Sequence, residues 1–161
     1  MLSAKEPHAP HGLEIVHRLR GIQMVHTRPV YDVCPYDVTI LGGDDSLDML
    51  ALAKLTKPVP FERQTHMLGE FIGVRVDGKL VAMAGQRMAF PGCTEISAVC
   101  VHPDHQGRGY ARALVTVMTR RLERCGITPF LHIYIENEKA IGLYQHLGFD
   151  IWCQMTIAKL A

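Results

Sequence analysis

The chain has 161 residues, 48% of them hydrophobic and 20% charged, which fits one soluble globular domain with a sizeable core. Its formal charge of +1 offers no electrostatic case for nucleic acid or a membrane surface as a partner. Five cysteines, Cys34, Cys93, Cys100, Cys125 and Cys153, are odd in number and lack C-x-x-C spacing, which argues against a disulfide framework or a zinc ribbon and for reduced thiols in the cytoplasm. No apolar run is long enough to span a membrane, and the first residues, with Lys5, Pro7 and Pro10, lack the apolar centre of a signal peptide.

Residues 1–12 are polar, with prolines and histidines, and read as a loose end. Leu13 to Leu19 and Ile22 to Thr27 flank Arg20-Gly21, and their alternation predicts a β-hairpin across that dipeptide. A strand near Tyr36 to Leu41 meets Asp44, Asp45 and Ser46, which are N-cap residues. They precede a helix to Thr56 whose apolar positions are Leu47, Leu50, Ala51 and Leu55. Lys57-Pro58-Val59-Pro60 breaks it, and Phe61 to Met67 predicts a short second helix. Glu70 to Val76 and Lys79 to Arg87 form a hairpin across Asp77-Gly78.

After Pro91-Gly92 come a strand from Thr94 to Val101, a helix from Gly109 to Cys125 stopped by Gly126, and a strand from Phe130 to Ile135. A helix from Glu138 to Leu147 stopped by Gly148 and a last strand from Ile151 to Ala158 complete the chain. The order β-α-α-β-β-β-α-β-α-β implies an α/β (α+β) fold with a mixed sheet flanked by helices. Residues 1–35 stand outside it, as a hairpin that lengthens the sheet, as a contact to a second copy in a homodimer, or as the remainder of a longer N-terminal region.

The richest segment is Val99 to Arg112. The strand ends at Pro103, Gly107 and Gly109 let the backbone turn with no Cβ in the way of a ligand, and helical spacing follows through Ala111, Leu114, Val115, Met118, Leu122 and Cys125. Free N–H groups and the positive end of a helix dipole therefore face the loop, where a diphosphate fits. No Lys-Ser or Lys-Thr follows these glycines, so the loop is not a P-loop. The dinucleotide spacing G-x-G-x-x-G is also missing.

The run Val101-x-Pro103-x-x-Gln106-Gly107-x-Gly109-x-Ala111 closely resembles the Gln/Arg-x-x-Gly-x-Gly/Ala signature of the GNAT superfamily, the acetyl-coenzyme A (acetyl-CoA) dependent N-acetyltransferases. Asn137-x-x-Ala140-x-x-x-Tyr144-x-x-x-Gly148-Phe149 looks like that superfamily's other motif, after one further strand. The resemblance covers about residues 36 to 158. It implies a GNAT-like N-acetyltransferase domain over residues 36–161 with a mostly antiparallel central sheet. The implied partners are acetyl-CoA as co-substrate and an amine acceptor.

The reaction implied is direct attack of a neutral amine on a thioester, which needs a proton sink, donors for the oxyanion and an acid for the thiolate. Glu95 precedes Gln106 by 11 residues, the interval at which the histone-acetyltransferase branch carries its glutamate, and is the candidate base. Strand alternation would put Glu95, Ser97, Val99 and Val101 on one face. Tyr144, two helical turns after Asn137 on the same helix face, is the candidate acid, because an ordinary tyrosine hydroxyl with a pKa of about 10 is protonated at neutral pH.

Matching to the family assigns backbone contacts to Val99, Cys100 and Val101, with the Val99 N–H nearest the acetyl carbonyl. It assigns the diphosphate to Gln106, Gly107, Arg108, Gly109, Tyr110, Ala111 and Arg112, mainly through main-chain N–H groups, with Arg108 and Arg112 adding charge. Asn137 and Tyr144 complete the cofactor contacts. Cys100 reads as a small apolar filler rather than a nucleophile. His102-x-x-His105 has ligand-like spacing but no matching Cys/His pair nearby, so no metal is expected. Arg120, Arg121 and Arg124 suit a helix C-terminus. The acceptor would be bounded by Asp45 to Met67, with Phe61 and His66 facing it. A non-catalytic module that only binds acyl-CoA is the alternative to an enzyme.

Overall fold

The computed structural model describes residues 1–29, 32–58 and 61–161. In chain order the strands are β1 (Leu2–Ser3), β2 (Ile15–His26), β3 (Thr39–Leu41), β4 (Phe71–Val76), β5 (Lys79–Phe90), β6 (Cys93–Val101), β7 (Thr128–Tyr134) and β8 (Phe149–Leu160). The helices are α1 (Ser46–Thr56), α2 (Tyr110–Arg124) and α3 (Glu138–His146), and single 3₁₀ turns lie at Gly43–Asp45, Thr65–Leu68 and Pro103–His105. This is the expected mixed α/β fold with antiparallel pairing. Among the described residues no helix is long and apolar enough to cross a membrane. The chain forms two compact units, one of Met1–Arg28 with Phe130–Ala161 and the other of Pro29–Pro129.

The second unit is an antiparallel meander in which β3 pairs β4, β4 pairs β5 and β5 pairs β6. The Asp77-Gly78 turn has both residues at positive φ, 49° and 77°, the geometry that matches the twist of a tight hairpin. A core of Leu41, Met49, Leu52, Phe61, Phe71, Met83 and Cys100 fills one face of the meander. Phe71 meets the edge of Phe61 at 5.8 Å and also lies over Gly85, where any Cβ would come within 2.2 Å of its ring. Glycine at 85 is therefore a packing requirement.

The predicted stripe of α1 is displaced. Met49, Leu52 and Ala53 are buried while Leu47 and Leu55 are exposed, because a second helical face, equally apolar, is the one the sheet covers. Asp45 does not cap α1 with its side chain. Its carboxylate instead accepts from Gly42 N–H and pairs with Arg75 at 2.6 Å, both of which hold it below the usual carboxylate range. The predicted second helix is only the turn Thr65–Leu68. Lys57 ends α1 in the left-handed conformation, and the rest of the predicted break, Val59-Pro60, lies outside the described residues.

In the first unit β8 pairs with both β1 and β2, and β2 also pairs with β7. The predicted hairpin across Arg20-Gly21 is not formed. Residues 15–26 are one continuous strand, in register with β8 at Arg20↔Thr156 and Gly21↔Met155. Gly21 signals close approach instead of a turn, since a Cβ there would sit 2.8 Å from the Ile157 side chain. The first residues are not loose either. Leu2 and Ser3 pair with Ile157 and Thr156, and the terminal ammonium donates to the Ala158 carbonyl at 2.7 Å.

Gly148 joins α3 to β8 at φ +81°, and its carbonyl accepts from the N–H groups of Thr27 and Arg28. A Cβ there would stand 2.1 Å from the Arg28 carbonyl oxygen. Gly148→Ala is therefore expected to lower unfolding stability by about 2 kcal/mol or more, through strain and collision together. Gly12→Ala, also at positive φ but with nothing within 4 Å, should lose only about 1 kcal/mol. Denaturant midpoints of the two variants check the contrast.

Candidate active site

The glycine loop is built in the second unit. His102 stops β6, its Nδ1 accepting from Asp104 N–H at 3.2 Å, and the turn Pro103–His105 closes as Gln106 N–H donates to the Pro103 carbonyl at 3.3 Å. Gly107 and Gly109 then take φ of +76° and +82°. Gly109 is the N-cap of α2, which starts without a capping side chain, so its first N–H groups have no acceptor within the helix. A Cβ at Gly107 would meet nothing within 4 Å, and one at Gly109 only the Tyr36 hydroxyl at 3.9 Å. Both glycines could thus carry a Cβ without a close contact, and the uncapped N–H groups beside them are donors of the kind an anion accepts from.

Side chains around the loop have partners of their own. Tyr110 is buried and packs against Tyr36 with ring centroids 4.4 Å apart, which leaves its backbone rather than its ring to meet a ligand. The Arg112 guanidinium makes a two-pronged pair with Asp32, at 2.5 and 2.8 Å, and that bonding pushes its pKa up. Arg112 is thus already matched to a carboxylate, whereas the Arg108 side chain is exposed. The Tyr36 hydroxyl donates to the Arg108 carbonyl. Neither Tyr36 nor Asp32 carries a sequence signal, since nothing in a turn-rich stretch shows that it lies against a loop some seventy residues later.

Strand β6 does not alternate throughout. Ser97 is opposite Gly85 and Cys100 opposite Met83, so two residues, Ala98 and Val99, face the single Ala84. This is a β-bulge, and Ala98 takes φ +51° to make it. Ser97 and Cys100 consequently share a face and Val101 turns to the other, which overturns the expected common face of Glu95, Ser97, Val99 and Val101. The bulge also interrupts the ladder at Val99, the residue expected to offer its N–H.

A second irregularity sets Glu95 opposite the pair Arg87-Met88. Glu95 is 1% exposed, and both of its carboxylate oxygens are held by Arg87, Oε2 at 2.9 Å and Oε1 at 2.7 Å. Cys100 is buried in the core, and burial pushes its thiol up to about 11, against a small opposing hydrogen bond with Thr56. Such a thiol is no nucleophile at neutral pH.

The second motif lies in the first unit, with its spacing explained by local structure. Asn137 is the N-cap of α3, its side-chain oxygen accepting from Ala140 N–H at 3.2 Å. Tyr144 is buried on that helix with its ring edge-on to Phe149, centroids 6.0 Å apart. On β7, His132 is half-buried and its Nε2 lies 3.2 Å from Gln23 Nε2. Among the described residues no cluster of three or more His, Cys, Asp or Glu side chains could hold a metal.

The second unit thus carries a bulged strand, a glycine turn and a helix without a capping side chain, and the first unit an Asn-capped helix bearing a buried tyrosine. The family model described as FR47-like protein matches residues 71–156. A protein from Novosphingobium aromaticivorans assigned to the GNAT acetyltransferase family is 36% identical, with a TM-score of 0.94 over 100% of this chain and 72% of its own. The chain belongs to the GNAT superfamily of acetyltransferases.

Shorter similarities fall on named enzymes. A mycothiol acetyltransferase of Nocardiopsis dassonvillei is 42% identical over 60 residues, 36% of this chain and 18% of its own length. The ribosomal protein bS18-alanine N-acetyltransferase of Escherichia coli is 35% identical over 75 residues, 46% of this chain and 50% of its own. The alignments thus span half or less of these curated relatives.

Because burial pushes its thiol up to about 11, from an ordinary value of 9.0, Cys100 binds its proton more tightly folded than unfolded. That contribution to stability is full below about pH 9 and is lost as the pH rises through about 11. Relative to Cys100→Ala, the parent is expected to lose stability across this window, measured by urea midpoints, and to resist alkylation of Cys100 at pH 8 until unfolded.

Proposed function

We propose that the chain is an N-acetyltransferase that moves the acetyl group of acetyl-CoA to a primary amine on a small molecule, peptide or protein. The observation that carries this reading is the start of α2, which has no capping side chain and follows two positive-φ glycines. The amine nitrogen attacks the thioester carbonyl, the carbon–sulfur bond breaks, one proton leaves the nitrogen and the sulfur takes one. In this reading the amides from Gln106 to Arg112 hold the diphosphate and Val99 N–H, released from the ladder by the bulge, takes the carbonyl oxygen. Asn137, through α3, sets the position of Tyr144, whose hydroxyl protonates the departing sulfur. One relative's name gives mycothiol and another's the alanine of a ribosomal protein, so the acceptor is kept broad. A cytoplasmic setting goes with the same proposal, supported by the unpaired cysteines.

Glu95 is the proposed base. Its two-pronged bonding to Arg87 favours a second reading, in which that pair braces β6 and His132 takes the proton.

Release of free thiol from acetyl-CoA across an amine library tests the reading. Transfer to any amine supports it, and tight binding with no transfer would leave a binding module. Tyr144→Phe should keep its affinity for acetyl-CoA and lose roughly a hundred- to ten-thousand-fold in turnover, as removal of a general acid does. If Glu95 is the base, Glu95→Gln is most impaired at neutral pH and recovers as the pH rises toward the amine's own pKa. The same profile in His132→Gln, with a pH-independent defect in Glu95→Gln, assigns the proton to His132.

A further inference from the structure

Residues 32–36 touch the chain on both sides of the point where the glycine loop enters α2. Asp32 takes the Arg112 guanidinium on the first turn of α2, and the Tyr36 hydroxyl donates to the carbonyl of Arg108 just before that helix. The Tyr36 ring rests on Tyr110, between these two points in the chain, and the Tyr110 ring lies 6.4 Å from that of His105. Both anchors thus lie in one short stretch of chain.

The effect of the Tyr36 bond follows from peptide geometry. In a trans peptide the carbonyl and the N–H point in opposite directions, and the protein has no cis peptide bond among the described residues. Drawing the Arg108 carbonyl toward Tyr36 therefore turns the Gly109 N–H away from Tyr36. Without that bond the Arg108–Gly109 peptide turns on ψ of Arg108 and φ of Gly109, and glycine is the residue type with the widest choice of backbone conformation. A cradle of main-chain donors is only as good as the fixed direction of those donors.

We propose that Tyr36 is a positioning residue for the diphosphate site, holding the Gly109 N–H in its donating direction, with Asp32 fixing the first turn of α2 beside it. The proposal rests on the reading of this loop as the diphosphate cradle. Tyr36 itself touches no substrate in this account.

The test compares the parent with Tyr36→Phe, which keeps the ring on Tyr110 and removes only the hydroxyl. Coenzyme A carries the diphosphate and pantetheine does not, so calorimetric affinity for each separates the cradle from the rest of the site. Tyr36→Phe should bind coenzyme A about three- to tenfold more weakly, the scale of one hydrogen bond, and bind pantetheine unchanged. With acetyl-CoA, KM should rise while kcat holds. Equal losses for coenzyme A and pantetheine, or no loss for either, would overturn the role of Tyr36 while leaving the cradle in place. A parent that binds pantetheine as tightly as coenzyme A would sink the cradle itself, and with it this proposal.

Discussion

One surplus residue in β6 governs the candidate site. Two residues facing one across a ladder cannot both pair, so at Ala98 and Val99 the strand must bend and give up a backbone bond. Ala98 bears the cost in a left-handed conformation, disfavoured for a residue with a Cβ. Everything downstream is phased by that choice: Cys100 falls into the core, Val101 turns to the other face, and β6 delivers the chain to His102, where the glycine turn begins. Had the alternation continued unbroken, Cys100 would have stood where Val101 stands.

The loop itself was legible because its signals are local. Glycines with positive φ, a proline that ends a strand and a helix with regular apolar spacing are all decided within a dozen residues, and the structure has them where the sequence placed them. The hairpin at Asp77-Gly78 was legible for the same reason. Gly21 was misread because a glycine between two alternating runs is compatible with a turn and with a crowded strand. Only the distant Ile157, pressing from β8, distinguishes the two.

The other departures have the same origin. On α1 the rival stripes, Leu47-Leu50-Ala51-Leu55 and Met49-Leu52-Ala53, are both apolar, and the choice is made by the shape of the meander beneath. Glu95 was visible as a carboxylate at a telling interval, but its partner Arg87 was not, because cross-strand pairing depends on a register shifted by two bulges. Arg112 was legible as a charge beside the loop, but its partner Asp32, eighty positions away, was not. Contacts of this kind lie beyond what spacing can encode.

The Phe71 ring over Gly85 has a consequence for how such sequences can drift. Phe71 and Gly85 face each other across the β4–β5 ladder, and the ring occupies the volume a side chain at 85 would need. The two positions are therefore energetically coupled: a larger residue at 85 is tolerable only once 71 has shrunk, and a smaller residue at 71 leaves a void that 85 could fill. Neither first step is neutral. Exchange of bulk between these strands has to cross an intermediate that is either overpacked or hollow.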